Sequence, residues 1–350
     1  MHYRSIADLN HTIQTNVGAL PRDIELVVGI PRSGLLAATL VSLALNLPLA
    51  DLEGFLAGRI LSAGSTRRRD LFDLPAEAFR RVLVVDDSIL SGGSMREARE
   101  KIAAAGKLER CTFCAIYGLE EPNDLVDIVL ETVPRPRIFQ WNIMNHRILE
   151  QCCFDIDGVL CADPAKDEND DGPLYSAFLD SARPLLLPGR RVGHIVTSRL
   201  ERYRPQTEAW LARQGIEYGK LWMIDLPTAE ERRRRNAHGS FKAQVYAATD
   251  AKLFIESEER QAIEIAHLSN KPVLSIETQT VILPDGYLGA KERARRHAVR
   301  LRERLSSEQR GLRRFLKRRL QRLAGENRAK QVQAYWQTRK KPTPPNSIML

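Results

Sequence analysis

Two places in this 350-residue chain set a pair of carboxylates after an apolar run and before a glycine turn. In VLVVDDSILSGGSM (Val82–Met95), four apolar residues end in Asp86 and Asp87, and the turn Ser91-Gly92-Gly93-Ser94 then opens a helical pattern. Glycines in such a turn let backbone N–H groups approach an anion closely, and the helix N-terminus adds a favourable dipole. Asp86 and Asp87 would repel that anion. They are suited instead to accept hydrogen bonds from the hydroxyls of an attached sugar, or to hold Mg²⁺. In CFDIDGVL (Cys153–Leu160), an apolar strand delivers Asp155 and Asp157, two positions apart, with Gly158 directly after.

Both acid pairs need rigid strands behind them, and the pattern supplies these. Up to about Arg147, short apolar runs (ELVVGI, RVLVVDD, CTFCAIYGL) alternate with helical stretches over Leu35–Leu47 and Met95–Ala105. Such alternation predicts parallel strands with crossover helices, and Gly106 falls where a left-handed cap is expected. From Cys152 the alternation repeats: CCFDIDGVL, RVGHIVTSR, a helix over Thr207–Gln214, then KLWMID, AKLFIES and KPVLSIE. The expected fold class is α/β, with two doubly wound, Rossmann-like parallel sheets and a basic α-helical tail. The expected domains are 1–148, 149–287 and 288–350, with VPRPRIFQWN leading to the first boundary. Ligands of such sheets bind beyond the carboxyl ends of the strands, where both acid pairs lie.

Composition narrows the function classes. Hydrophobic residues make up 43% and charged residues 28%, which is ordinary for a folded soluble protein. The longest apolar stretch, Leu35–Ala50, is broken by Ser42, Asn46 and Pro48, so it reads as a buried helix and no membrane span is expected. The start, MHYRSIADLNHTIQTN, has no apolar core behind a basic end, so no secretory signal is expected. Five cysteines form no even disulfide framework, which fits a reducing, cytoplasmic location. The net charge is +9, yet 19 Lys and Arg against 4 Glu between Lys291 and Lys341 give that stretch +15 and leave −6 for the rest. The basic signal therefore belongs to the tail. Its clustered cations would suit a nucleic acid, an acidic partner or the chain's own acidic surface.

The first acid pair resembles the signature of type I phosphoribosyltransferases, which bind 5-phosphoribosyl-1-diphosphate (PRPP). The resemblance implies that Asp86 and Asp87 contact ribose while Ser91, Gly92, Gly93 and Ser94 hold the 5-phosphate. Upstream, VVGIPRSGLLAA resembles the diphosphate loop of the same family, with Arg32, Ser33 and Gly34 as PRPP-binding residues. AGSTRRRD, with Arg67, Arg68 and Arg69, stands where that family carries a mobile loop. The implied reaction displaces diphosphate from the anomeric carbon by a nitrogen of a base or related acceptor, with Mg²⁺ bridging the diphosphate. Phe139 and Trp141 are candidates for stacking on the acceptor, or for packing against the next domain. Dimers are usual in the family, so the resemblance is compatible with a homodimer, although the sequence itself does not fix the oligomeric state.

CFDIDGVL resembles the first motif of the haloacid dehalogenase (HAD) superfamily. The resemblance makes Asp155 the nucleophile that forms an aspartyl phosphate, and Asp157 the acid and base. Thr197 in HIVTSR then matches the second motif, Lys242 in GSFKAQVYA the third, and Glu256 in LFIESEER the fourth. Mg²⁺ would be held by Asp155, the Asp157 carbonyl and Glu256. Ser257 departs from the family, which usually has a second acid there. Two functions follow as expectations. One is a bifunctional enzyme that transfers ribose 5-phosphate and hydrolyses a phosphate ester. The alternative is a PRPP-binding regulatory protein with a degenerate HAD domain. Cys111-x-x-Cys114 reads as a buried structural pair, His238 and His267 as surface or helix residues, and both ERRRRN and the acidic DPAKDENDDG as solvated loops.

Overall fold

The apolar runs Leu26–Gly29 and Val82–Ser88 form neighbouring inner strands of one parallel sheet, covered on both faces. The structure is a computed structural model, and it describes residues 1–61, 74, 76–121, 123–169 and 171–284. The chain divides into two units, Met1–Gly286 and Tyr287–Leu350. The residues expected to form the basic tail, and Arg67, Arg68 and Arg69, lie outside the described residues.

The first half of the first unit runs β1 (His2–Arg4), α1 (Ile6–Asn16), β2 (Leu26–Gly29), α2 (Ser33–Leu45), β3 (Leu49–Asp51), α3 (Leu52–Leu56), β4 (Val82–Ser88), α4 (Gly93–Ala104), β5 (Cys111–Gly118), β6 (Ile128–Thr132) and β7 (Arg137–Phe139). Five of these strands form a parallel sheet in the order β3-β2-β4-β5-β6. Apolar clusters cover both faces, one centred on Val27, Ala38, Val41 and Ile116, the other on Val28, Phe55, Val84 and Ile102. From β2 the chain winds outward to β3, then returns across β2 to β4. The reversal leaves a crevice between the carboxyl ends of β2 and β4.

The second half runs β8 (Cys152–Phe154), α5 (Pro173–Ser181), β9 (Val192–Leu200), α6 (Arg204–Arg213), β10 (Tyr218–Ile224), α7 (Ala229–Arg234), α8 (Ala237–Ala248), β11 (Leu253–Glu256), α9 (Glu259–Ser269), β12 (Val273–Ser275) and β13 (Thr280–Ile282). Its sheet has the order β10-β9-β8-β11-β12-β13, parallel except for the edge strand β13. Here the reversal falls between β8 and β11.

A parallel two-stranded ribbon of β1 and β7 joins the halves. Successive strand residues point to opposite faces. Ile138 accordingly packs into the core around Phe154, while Phe139 packs into the core around Tyr117. Tyr3 of the ribbon donates to Gln279 Oε1 at 2.6 Å. Strands of three residues have too little periodicity to be read from sequence, so this ribbon was not expected.

Two loop expectations need correction. ERRRRN is mostly helix α7, capped by Thr228, and Arg232 is buried, donating to the Ser198 carbonyl at 2.6 Å. The acidic run is not simply solvated, because Asp171 pairs with Arg202, accepts from Tyr203 at 3.0 Å and accepts from the backbone of Ala229 at 3.0 Å. All five cysteines are free, and only Cys111 is not fully buried. Burial pushes the Cys111 thiol up to about 11 and the Cys114 thiol up to about 12, so both stay protonated. No described helix is long and apolar enough to cross a membrane.

Candidate functional site

The crevice between β2 and β4 gathers the first set of expected residues. Asp86 and Asp87 close β4 and are largely buried. Arg32 precedes α2 and is exposed, and Ser33 opens that helix. Gly34 touches the tip of β4: a Cβ there would lie 2.7 Å from Asp86 Oδ1 and 2.9 Å from the Val85 carbonyl. Gly34→Ala is therefore expected to cost about 1–3 kcal/mol by overpacking. Denaturant unfolding checks this, and an unchanged midpoint would mean the loop has room to yield.

Beyond β4, Gly92 caps α4 at φ 76, a left-handed conformation that glycine adopts without strain. Gly93 and Ser94 form the first turn of this twelve-residue helix, where unpaired N–H groups face outward. Ser91, Gly93 and Ser94 are exposed. Arg32, Ser33 and Gly34 thus meet Asp86 and Asp87 at one crevice, with the glycine turn on the same edge.

Burial first, and then the neighbouring Asp87 charge, push the Asp86 carboxyl up to about 8. A cation or hydroxyl donors arriving at the pair would offset that crowding. Asp87 has a partner that sequence reading missed: Trp141 Nε1 donates to its Oδ2 at 2.8 Å. Trp141 stacks on Phe139 with centroids 5.0 Å apart, and Phe139 on Tyr117 at 5.3 Å. The buried Arg137 guanidinium donates to the Gly118 carbonyl at 2.9 Å and to the Ile89 carbonyl, tying the segment just after β4 to the end of β5.

The second set gathers at the reversal between β8 and β11. Pairing of Phe154 with Ile255 puts Asp155 and Glu256 side by side, one residue further on. Pairing of Phe154 with Ile195 puts Thr197, still inside β9, level with Ile156 just beyond the end of β8. Lys242 reaches in from α8 and donates to Asp155 Oδ2 at 2.7 Å and Glu256 Oε2 at 2.8 Å, with all three side chains buried. Burial favours neutral Lys242, but the charges of Asp155 and Glu256 outweigh it and hold the ammonium protonated. Burial is also the main force pushing the Asp155 carboxyl up; Lys242 opposes it, and Glu256 and Asp157 add to it. Lys242→Met would leave two carboxylates buried without compensation. The expected loss is about 3–5 kcal/mol, as thermal melts of the variant beside wild type would record.

Asp157 stands apart from this trio. Its carboxylate accepts from Arg199 Nη2 at 2.6 Å and Nε at 3.1 Å, and Cys161 Sγ lies 3.5 Å away. Burial pushes this carboxyl up, but the Arg199 charge and hydrogen bonds outweigh it and hold it below the usual carboxylate range. Arg199 was not singled out from sequence, although its spacing from Thr197 on one strand was a usable signal. Asp163 was missed too. A Cβ on Gly158 would lie 3.0 Å from Asp163 Oδ2 and 2.8 Å from Ser257 Oγ, so this acid stands on the same glycine turn as Ser257. Its carboxyl is pushed up by burial, Asp157 and Glu256.

Of the expected metal ligands, the carboxylates of Asp155 and Glu256 are bridged by Lys242, and Ser257 donates through N (3.0 Å) and Oγ (3.1 Å) to Glu256 Oε1. Among the described residues, no group of three or more His, Cys, Asp or Glu is placed to hold a metal ion. His238 lies in α8 with Nδ1 3.1 Å from Ser198 Oγ; burial and then Arg232 lower it to about 4, so it is neutral at pH 7.

The first sheet defines a parallel α/β domain with two acids and a glycine turn beside one crevice. Residues 2–136 match the family model of the phosphoribosyl transferase domain, so this half carries a domain of that type. Three of the similar solved structures come from as many organisms. Purine phosphoribosyltransferase from Pyrococcus horikoshii Ot3 is 16% identical, over 40% of this chain and 92% of that one, with a TM-score of 0.28. The Helicobacter pylori xanthine-guanine-hypoxanthine phosphoribosyltransferase is 18% identical, over 41% and 92%, also at 0.28. A hypothetical protein from Neisseria gonorrhoeae with bound ppGpp is 14% identical, over 40% and 89%, at 0.28. Likenesses this low say nothing of substrate. No curated protein matches the chain.

Proposed function

We propose that the chain is a bifunctional enzyme with domains at 1–148 and 149–287. The first transfers ribose 5-phosphate from PRPP to a nitrogenous base or related acceptor, and the second removes phosphate through an aspartyl phosphate. What supports the first activity is the meeting of Arg32–Gly34 with Asp86 and Asp87 beside the turn Ser91–Ser94. In this reading the turn N–H groups and the two serines hold the 5-phosphate. Asp87, oriented by Trp141, accepts the ribose hydroxyls with Asp86, and Arg32 compensates the departing diphosphate. Asp86 and Asp87 also suit Mg²⁺, since two crowded carboxylates gain from a hard cation; bound there, it would offset charge on the diphosphate.

In the second domain Asp155 attacks phosphorus, while Lys242 compensates charge and Thr197 offers its hydroxyl to the phosphoryl oxygens. This domain resembles HAD hydrolases in its motifs, but its acids do not fit a divalent ion as they stand, and no step is assigned to one. Ser257 favours a second reading, in which this domain is catalytically silent and the chain senses PRPP. One experiment separates the two. Wild type, Asp87→Ala and Asp155→Asn are incubated with PRPP, Mg²⁺ and a panel of bases, and diphosphate and phosphate release are followed. Base-dependent diphosphate release lost in Asp87→Ala, with phosphate release lost in Asp155→Asn, supports the enzyme. PRPP binding with neither release would reject it and leave the sensor.

A further inference from the structure

We propose that Arg199 is a positioning residue of the second site, which fixes the carboxylate of Asp157 for the hydrolytic half of phosphoryl transfer. This rests on the phosphatase reading above. The planar fork of Arg199 places Nε on one Asp157 oxygen at 3.1 Å and Nη2 on the other at 2.6 Å. A two-point contact of this kind stops the carboxylate from rotating, which a single ammonium could not do. The Arg199 side chain is 0% exposed whereas that of Asp157 is 20% exposed, so the accessible part of the pair is the carboxylate. The other two acids are more closed, Asp155 at 6% and Glu256 at 0%. Asp157 is thus the acid of the three most open to water.

Stability does not account for the arrangement. Burying a guanidinium beside a carboxylate roughly breaks even at best, and here Nη1 is also buried without a hydrogen-bond partner. Arg199 Nη2 also donates to Cys161 Sγ at 3.3 Å, and its backbone N–H donates to Thr197 Oγ1 at 3.2 Å. The residue therefore ties the water-accessible acid to the strand that carries the phosphoryl-binding threonine.

The chemistry divides in two. In the first half an Asp155 oxygen bonds to phosphorus as the bond to the leaving oxygen breaks, and that oxygen departs with the electron pair. In the second half a water oxygen bonds to phosphorus and the Asp155–phosphorus bond breaks, returning its pair to the carboxylate. The water proton passes to Asp157. A misplaced Asp157 impairs the second half while sparing the first, provided the leaving group needs no proton.

p-Nitrophenyl phosphate meets that condition, and the test follows p-nitrophenolate release and intact protein mass in wild type, Asp155→Asn, Asp157→Asn, Arg199→Met and Arg199→Lys. For Arg199→Met the expected result is a burst of about one p-nitrophenolate per chain, a steady rate down about 100-fold, and protein carrying one phosphoryl group. Asp157→Asn should behave alike. Arg199→Lys retains the charge but loses the fork, so it too should accumulate phosphoprotein. It serves as the measurement if the Met variant does not fold. Burst and steady rate falling together with no phosphoprotein, or Lys behaving as wild type, overturns the positioning role. Wild type releasing no p-nitrophenolate by way of Asp155 would instead overturn the phosphatase reading itself, and this inference with it.

Discussion

Asp155→Asn is expected to lower phosphate release by about 10⁴-fold or more, because an amide cannot form the aspartyl phosphate on which the second activity depends. The fold should survive the change. Asn can still accept from Lys242, and the substitution removes one of two like charges that Lys242 now balances alone. The measurement is phosphate release beside a thermal melt. Retained turnover in a folded variant would mean that Asp155 is not the nucleophile. Glu256→Gln makes a useful contrast. It also removes a charge beside Lys242 but leaves the nucleophile in place, so its effect on rate should be far smaller.

The second large effect is expected at the first crevice. Asp87→Ala removes acceptors for ribose hydroxyls, and hydrogen bonds to a charged group contribute about 1.5–3 kcal/mol each, so losing two should lower diphosphate release about 10³-fold. Trp141→Phe removes only the donor that orients Asp87 and should cost about tenfold. The two variants together separate the acid from its positioning. Equal losses would place the sugar contact on Trp141 rather than on the carboxylate.

The same acids set a pH dependence whose sign can be worked out. The folded Asp86 carboxyl sits at about 8 against an ordinary 3.8. Between those values the folded chain retains a proton that the unfolded chain has released, so stability is fullest below about pH 4 and falls as pH rises through 8. Asp86→Asn has no such proton to lose. It should be more stable than wild type at pH 8 and flatten the stability profile. A wild-type melting temperature that rose between pH 5 and 8, with Asp86→Asn parallel to it, would contradict the shared-burial account of this pair.

Much of this architecture was legible in the sequence because it is written locally. An apolar run of four with acids at its end predicts where a buried strand stops: β8 ends just before Asp155, and β4 runs through Asp86 and Asp87 to end at Ser88. Glycine turns before helical patterns predicted a helix start near Ser94, and α4 begins at Gly93. The β/α alternation implied two parallel sheets, since parallel strands require crossovers. The ends of strands, the acids they carry and the turns that follow are all set within about ten residues of chain, the range over which side-chain period and turn propensity act.

The pairings that give those acids their character were decided by the tertiary structure alone. Arg199 meets Asp157 across 42 residues, Trp141 meets Asp87 across 54, and Lys242 meets Asp155 across 87. Asp163 came from a run that read as solvated, and it and Ser257 both crowd Gly158 because β8 and β11 are neighbours in the sheet. The β1–β7 ribbon likewise joins chain segments more than a hundred residues apart. Strand order and register choose such partners, and both follow from how whole faces are buried rather than from any local pattern. The sequence by itself determined which residues stand at the strand tips. Which charges they face, and so which can attack, take a proton or hold still, required the folded chain.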